Sequence, residues 1–230
     1  MSKEELLKQI HKKIIVSCQA LEGEPLYVEK KSIMYLMARA AKMAGSPAIR
    51  TSSIRDVISI KKETNLPVIG LIKRNYKDSE VYITPTMKEV DELVEVNADI
   101  VAIDCTFSKR VNDENINDFI KNVKTKYKGI IIMADISTYE EAINAYNLGV
   151  DIISTTMNGY TKQSIETNIS NKELIQKLVK QIDTPIVAEG KIHYPNQAKE
   201  MLDIGAYSVV VGGAITRPLE ITKRFIDAIK

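Results

Sequence analysis

The stretch DIGAYSVVVGGAITRP, residues 203–218, contains in one piece the order of elements that decides the fold. Gly205 ends a segment with helical spacing, and the β-branched run SVVVGG follows almost at once. The stretch YNLGVDIIS, residues 146–154, repeats this order, with Gly149 ending a helix that we predict over Thr138–Leu148. Glycine is common just after a helix because it adopts the left-handed backbone conformation without strain. The repeat predicts helices that lead through short loops into parallel strands.

Short apolar, β-branched runs recur along the chain, each followed by a segment with helical spacing. The runs are Ile14–Cys18, Ala48–Thr51, Pro67–Lys73, Asp99–Asp104, Ile130–Asp135, Asp151–Thr156, Pro185–Gly190 and Ser208–Gly213. Eight parallel strands close a (β/α)₈ barrel, and no G-x-G-x-x-G follows the first run. The sequence therefore predicts an α/β fold, a (β/α)₈ TIM barrel that forms a single catalytic domain over residues 1–230. An open doubly wound sheet is the alternative, because alternation alone does not reveal closure.

The chain has 230 residues, of which 44% are apolar and 27% charged, and its formal net charge is +2. This length suits one barrel, and the balanced charge gives no nucleic-acid footprint. Residues 1–13 are rich in charge and are predicted to form a surface helix rather than a secretory signal. No run approaches the roughly 18 apolar residues of a membrane span. We therefore expect a cytoplasmic protein with neither a nucleic-acid nor a membrane partner.

The cysteines and histidines do not form a recognisable reactive or metal-binding motif. Cys18 and Cys105 are far apart, and His11 and His193 precede the first and follow the seventh predicted strand. No pair has the spacing of zinc ligands, and neither histidine is placed to activate Cys18. We interpret both cysteines as small buried residues. With no nucleotide-binding motif either, the sequence predicts no metal and no cofactor.

Lys73 is the strongest candidate for a catalytic residue. The active site of a barrel lies at the carboxyl ends of its strands, and Lys73 ends the apolar run VIGLIK with its side chain predicted to face the barrel mouth. Partial burial beside Arg50 or Arg74 would lower its pKa and leave some neutral amine to act as a general base. A solvated lysine at the start of a loop is the alternative.

Three carboxylates also stand at predicted strand ends. Glu189 follows a buried run, where an unpaired charge would be costly, so we predict a catalytic or substrate-binding role. A salt bridge to Lys73 or Arg217 is the structural alternative. Asp104 and Asp135 could instead cap the following helices or bind loop N–H groups. Of these two we favour Asp135, because its strand is the more apolar.

Two glycine-containing loops predict a phosphate site. Gly212 and Gly213 directly follow the last strand, and Gly190 and Lys191 follow the seventh. These are the two loops between which many barrels bind phosphate, and Arg217 could add a charge-assisted hydrogen bond. A bare tight turn explains one glycine pair better than it explains both loops together.

Several phrases together resemble the N-acylglucosamine-6-phosphate 2-epimerase (N-acetylmannosamine-6-phosphate 2-epimerase) family: IIVSCQAL, AIR, GLIKRNY, VYITPTMKEVDEL, ADIS, STTMNGYT, AEGKI and VVVGGAITRP. The resemblance implies a ribulose-phosphate-binding-type barrel that interconverts N-acetylmannosamine 6-phosphate and N-acetylglucosamine 6-phosphate without a cofactor, in sialic-acid (N-acetylneuraminate) catabolism. It also implies a homodimer. Asn75, where the family commonly has Asp, and the segment VEKKSIMYLMARA depart from the family pattern, at no predicted catalytic position.

Residue by residue, the resemblance implies that Lys73 is catalytic and that Glu189 is its partner carboxylate. It further implies that Gln19, Arg50 and Asp135 contact the sugar. It also implies that the 6-phosphate is surrounded by Gly190, Gly212, Gly213 and Arg217.

Inversion at C2 requires removal of a weakly acidic proton, which the aldehyde of the open-chain sugar makes feasible by delocalising charge onto its oxygen. We assign the C2 proton to Lys73, the C1 oxyanion to a cation such as Arg50, and proton transfer or ring opening to Glu189. Two other readings stay open: a sugar-phosphate lyase or isomerase with Lys73 as a Schiff base, and a non-catalytic sugar-phosphate sensor.

Overall fold

A computed structural model describes residues 1–164 and 169–230. Within these residues, eight parallel strands pair in chain order and close on themselves, β1 with β8. The strands are β1 Ile14–Ser17, β2 Ile49–Ser52, β3 Val68–Leu71, β4 Ile100–Asp104, β5 Ile132–Asp135, β6 Ile152–Ser154, β7 Ile186–Glu189 and β8 Ser208–Val211. The predicted (β/α)₈ barrel is confirmed, and the open sheet is excluded.

Helices follow or precede each strand around the barrel. They are α1 Lys3–Ile10, α2 Met34–Met43, α3 Ile54–Thr64, α4 Met87–Glu95, α5 Ile116–Lys126, α6 Tyr139–Asn147, α7 Lys172–Gln181, α8 Pro195–Asp203 and α9 Pro218–Asp227. The helix predicted over Thr138–Leu148 is confirmed as α6 together with its N-cap and C-cap residues. Thr138 is the N-cap, whose hydroxyl accepts a hydrogen bond from the Glu141 N–H, and Leu148 is the C-cap. Gly149 then adopts φ +68°, as expected for a glycine that ends a helix.

The apolar side chains form two layers, because successive strand residues point to opposite faces. In β4, Ile100 and Ala102 pack inside the barrel, whereas Val101 and Ile103 pack outward against the helices. Gly70 in β3 lies on the outward layer, where an added Cβ would approach Ala98 Cβ and Leu93 Cδ2 within 2.9 Å. The surrounding helices therefore pack directly on the strands.

Helix α1 crosses the amino-terminal end of the barrel. Leu6 and Ile10 are buried within the interior layer, and the Leu7 carbonyl accepts a hydrogen bond from the Tyr207 hydroxyl at 3.0 Å. Gln9 Nε2 donates to the Pro47 carbonyl at 2.7 Å, just before β2. The prediction of a surface helix was therefore incomplete: its charged face is exposed, while its apolar face closes the bottom of the barrel.

Most strands are one to three residues shorter than the apolar runs that predicted them, with differences at both ends, and β2 is shifted by one residue. Strand β3 ends at Leu71, so Lys73 lies in the loop that follows it. No helix among the described residues has both the length and the apolar character needed to cross a lipid bilayer.

Candidate active site

A cavity of about 270 Å³ opens at the carboxyl ends of the strands. Nine of the residues predicted for the site line it: Gln19, Arg50, Lys73, Glu189, Gly190, Lys191, Gly212, Gly213 and Arg217. They come from strands β2 and β7 and from the segments after β1, β3, β7 and β8, so the closed barrel brings distant stretches of sequence together. Asp135 lies beneath the cavity and is not part of its lining.

The loop after β3 folds back on itself and holds Lys73 at the cavity wall. A single antiparallel bridge pairs Lys73 with Ile83, the Arg74 N–H donates to the Tyr82 carbonyl at 2.9 Å, and the Thr84 N–H donates to the Ile72 carbonyl at 2.8 Å. The Lys73 ammonium lies 6.0 Å from the centre of the Tyr82 ring. The lysine thus stands on a short hairpin rather than in the strand itself.

The pKa of Lys73 is lowered to about 8, mainly by burial and then by the nearby positive charges of Arg50 and Arg217. Glu189 and Glu24 act in the opposite direction. The predicted direction of the shift is confirmed, with one correction. Arg74 does not contribute, because its guanidinium turns away to pair with Glu89 and Glu92 on α4.

Arg50 is the centre of a buried group of charges. Its guanidinium is 1% exposed and binds Asp135 through both terminal nitrogens, with Nη1–Oδ1 at 3.1 Å and Nη2–Oδ2 at 2.6 Å. Its Nε lies 3.2 Å from Glu189 Oε1 but makes no hydrogen bond. A bidentate pair of this kind fixes the plane of the guanidinium. The arrangement leaves one buried N–H donor available beside the cavity.

Glu189 lines the cavity at the end of β7. Burial raises its pKa, Arg50 opposes the rise, and the charge of Asp135 adds to it. Ser154 Oγ donates to Glu189 Oε2 at 3.3 Å. Because the ion-pair partner of Glu189 is Arg50, the alternative of a structural salt bridge to Lys73 or Arg217 is wrong.

The two aspartates at strand ends have different surroundings. Asp135 is fully buried, and Thr156 Oγ1 donates to its Oδ1 at 2.7 Å, in addition to the pair with Arg50. Asp104, on the adjacent strand, accepts from the Thr106 N–H and hydroxyl at 2.9 and 2.7 Å. Burial raises the pKa of Asp104 to about 6. Asp104 therefore accepts hydrogen bonds from Thr106 in the loop that follows it, whereas Asp135 pairs with Arg50.

Gln19 presents an unused acceptor. The side chain is 8% exposed, its Nε2 donates to Ser17 Oγ at 2.9 Å, and its Oε1 is buried without a hydrogen-bond partner. A buried acceptor left unpaired is costly unless something else binds it. Since Gln19 lines the cavity, the missing donor is expected from a ligand.

The two predicted phosphate loops follow the adjacent strands β7 and β8, and both line the cavity. Gly190 adopts φ +99°, which allows the backbone to turn directly after β7. Lys191 follows it, with Nζ 3.2 Å from the Gly159 carbonyl and 4.7 Å from the centre of the Tyr160 ring. Arg217 lines the same cavity at the start of α9. The cavity is therefore lined by two cations and by glycine backbone, which can together form an anion site.

The cysteines are structural in their surroundings. Cys18 and Cys105 are free and buried, and burial raises the pKa of the Cys18 thiol to about 12. The interpretation of small buried residues is confirmed. In residues 1–164 and 169–230 no group of three or more His, Cys, Asp or Glu side chains could hold a metal ion.

The family model described as "Putative N-acetylmannosamine-6-phosphate epimerase" matches residues 34–230. The chain belongs to this family. A Clostridium perfringens (strain SM101) protein named "Putative N-acetylmannosamine-6-phosphate 2-epimerase" is 52% identical, over 98% of this chain and 100% of that one. The protein of the same name from Caldanaerobacter subterraneus subsp. tengcongensis is 50% identical, over 98% of this chain and 94% of that one.

The solved structure of the N-acetylmannosamine-6-phosphate 2-epimerase from Clostridium perfringens superposes with a TM-score of 0.92 and 51% identity, covering 97% of this chain and 96% of that one. The family resemblance inferred from the sequence is confirmed. The chain is an enzyme of the isomerase class, as its membership of an epimerase family establishes, and it acts on a small molecule.

Sequence reasoning missed several cavity residues of this epimerase-family chain: Tyr82, Tyr160, His193, Thr216 and Glu220. All stand in loops or at a helix start rather than at strand ends. Thr216 carried a weak signal, since it lies in the quoted stretch GGAITRP, and its hydroxyl donates to the Ser17 carbonyl at 2.7 Å. The others have no pattern that marks them before the loops are folded.

Proposed function

We propose that this chain is a cofactor-independent 2-epimerase that interconverts N-acetylmannosamine 6-phosphate and N-acetylglucosamine 6-phosphate. The observation that carries the proposal is Lys73, a partly buried amine of lowered pKa in the same cavity as Arg50 and Glu189. The names of the relatives describe the same reaction. The reaction serves sialic-acid catabolism in the cytoplasm, and residues 1–230 act as a single catalytic domain.

Lys73 removes the C2 proton of the open-chain sugar. An ordinary lysine is almost wholly protonated at neutral pH, whereas an amine whose pKa is about 8 has about one-tenth of its molecules neutral at pH 7. The resulting enolate places negative charge on the C1 oxygen. Return of the proton to the other face of C2 gives the epimer.

Arg50 stabilises the developing charge on C1. Its Nε is buried, borders the cavity and lacks a hydrogen-bond partner, so it is the donor best placed to bind an oxyanion. Asp135 contributes as a positioning residue, because its bidentate pair fixes the guanidinium. In this proposal its effect on the sugar is exerted through Arg50. Glu189, whose pKa is raised by burial, supports proton transfer or ring opening.

The phosphate binds between the loops after β7 and β8, where Gly190, Lys191, Gly212, Gly213 and Arg217 line the cavity mouth. Binding energy from this remote group holds C2 against Lys73 during proton transfer. Gln19 Oε1, the unpaired buried acceptor, binds an N–H or O–H of the sugar.

The test is Lys73→Met, assayed for turnover of N-acetylmannosamine 6-phosphate and for deuterium at C2 of the product formed in D₂O. We expect kcat to fall about 10²–10⁴-fold, the usual effect of removing a general base, while the folded variant still binds substrate. Lys77→Met is the matched control, because Lys77 is exposed in the same loop.

Near-normal turnover by folded Lys73→Met would contradict the assignment. Wild-type product without C2 label would count against it only alongside that result, because a single shielded base can return the same proton. Borohydride trapping of the wild type with substrate would instead support a Schiff-base enzyme, and a folded wild type that binds the sugar phosphate without converting it would support a sensor.

We further propose that the chain forms a homodimer through α9. No residue of this helix is buried, although Leu219, Phe225 and Ile226 are apolar and 46%, 75% and 48% exposed. Exposed apolar side chains on one helix are characteristic of an interface. Light scattering should give twice the chain mass for the wild type, and Phe225→Glu should shift the population towards monomer.

A further inference from the structure

Two carboxylates hold Arg217 at the cavity. Arg217 Nη2 lies 3.0 Å from Glu24 Oε1, in the loop after β1, and Arg217 Nη1 donates to Glu220 Oε1 at 3.0 Å. Both terminal nitrogens of the guanidinium are therefore bound to anions of the protein itself. A phosphate that binds Arg217 must share these donors or displace a carboxylate.

Gly213 shows where the Glu220 carboxylate lies. A Cβ added to Gly213 would fall 2.1 Å from Glu220 Oε2 and 3.0 Å from its carboxyl carbon. Gly213 does not have a left-handed φ, so the backbone does not require glycine here. The space that the missing side chain leaves is filled by a carboxylate.

The surroundings of this carboxylate are cationic. Arg224 Nη2 donates to the Gly213 carbonyl at 3.4 Å, and Arg224 Nη1 lies 3.5 Å from His193 Nδ1. Lys191 and Arg217 line the same cavity mouth. Positive charge and glycine backbone form the phosphate cradle proposed above, and the Glu220 carboxylate lies within it.

We propose that Glu220 is an internal counter-ion of the phosphate cradle, which occupies the anion site of the empty enzyme and is displaced by the substrate's phosphate. The inference rests on the proposed function, because it assumes that the cradle binds phosphate. A carboxylate and a phosphate dianion cannot share the same cations without strong repulsion. The Glu220 side chain is 40% exposed, so it has open solvent into which it can turn.

Such a counter-ion weakens phosphate binding and favours release of the phosphorylated product. Displacing a partly exposed ion pair costs little, so we expect Glu220→Gln to lower the Kd for inorganic phosphate about 5-fold. The KM for phosphorylated sugar should fall by a similar factor. Because Glu220 does not contact the reacting carbon in this scheme, its loss should act on KM and phosphate affinity rather than on the proton-transfer step.

The experiment is calorimetric titration of inorganic phosphate into wild type, Glu220→Gln, Glu24→Gln and Glu173→Gln at pH 8 and constant ionic strength, followed by steady-state kinetics. Glu173 is the control for loss of one charge, because it is an exposed acid in the first turn of α7, away from the cradle. Glu24→Gln removes a negative charge beside Arg217, but the carboxylate that lies against Gly213 is that of Glu220, so the effect of Glu24→Gln should be smaller.

A lower Kd confined mainly to Glu220→Gln supports the proposal. An unchanged or higher Kd in that variant overturns it, since Glu220 would then be neutral to phosphate or would position Arg217 for it. An equal fall of the Kd in Glu24→Gln also overturns it, because the loss of either negative charge beside Arg217 would then explain the result. If no variant binds phosphate and phosphorylated and unphosphorylated sugars react equally, the phosphate site of the proposed function fails as well.

Discussion

The lowered pKa of Lys73 predicts a specific pH dependence of kcat/KM. Burial is the largest cause of the shift, and the charges of Arg50 and Arg217 add to it, giving a pKa of about 8. A general base acts in its neutral form, so the rate should rise with pH as Lys73 loses its proton. From pH 7 to pH 9 the neutral fraction grows from about one-tenth to about nine-tenths, which predicts a roughly tenfold rise and then a plateau.

Two substitutions move the midpoint of this profile in opposite directions. Arg217 lowers the pKa of Lys73, so Arg217→Gln should shift the midpoint to higher pH, whatever it does to phosphate affinity. Glu24 raises that pKa, so Glu24→Gln should shift the midpoint to lower pH. The midpoint is informative here because it does not depend on the absolute rate.

Initial rates can be measured at subsaturating substrate by separating the two epimers chromatographically, in buffers of constant ionic strength. The range should start at pH 7, because the second ionisation of the substrate's phosphate, near pH 6, would otherwise overlap. A rate independent of pH between 7 and 9, or a midpoint as high as that of a free lysine, would refute the reasoning. So would midpoints that do not move in the two variants.

Three further outcomes are expected. Asp135→Asn should lower the free energy of unfolding by about 3 kcal/mol and reduce kcat, because it leaves the buried Arg50 without its full ion pair. Asp104→Asn should lower the free energy of unfolding by less than about 1 kcal/mol, since asparagine keeps a similar acceptor, and equal losses in denaturant melts would contradict this. Gly70→Ala should destabilise the fold by about 1–3 kcal/mol through overpacking against Leu93 and Ala98, with KM unchanged. Activity should survive exhaustive dialysis against a chelator without added nucleotide, and loss restored by a divalent metal would overturn the cofactor-independent scheme.

The sequence predicted the barrel because its signals are local. Apolar runs of β-branched residues and glycines after helices each report on a few neighbouring residues, and eight repeats are sufficient to indicate closure. The ends of the strands were predicted less well, since polar residues such as Lys73 continue an apolar run without continuing the ladder. Helix α1 was taken as a surface element from its charges, although Leu6 and Ile10, four residues apart, share one helical face.

The site could be predicted only as far as strand ends allow. Position at the carboxyl end of a strand identified Lys73, Arg50 and Glu189 as cavity residues. The pairing among Arg50, Asp135 and Glu189 could not be predicted, because it joins β2, β5 and β7 across the barrel and depends on how far a guanidinium reaches. Loop residues that line the cavity, such as Tyr82, could not be predicted either, because loops lack the hydrophobic periodicity that identifies strands and helices.

Helix α1 covers the amino-terminal end of the barrel, whereas the cavity opens at the opposite end. The amino terminus lies on the side opposite to the cavity, since α1 contacts the segments that precede β2 and β8. Attachment of the chain to a solid support through that terminus would therefore leave the cavity facing solution. Attachment through α9, which begins directly after Arg217, would place the support beside the mouth and hinder substrate entry.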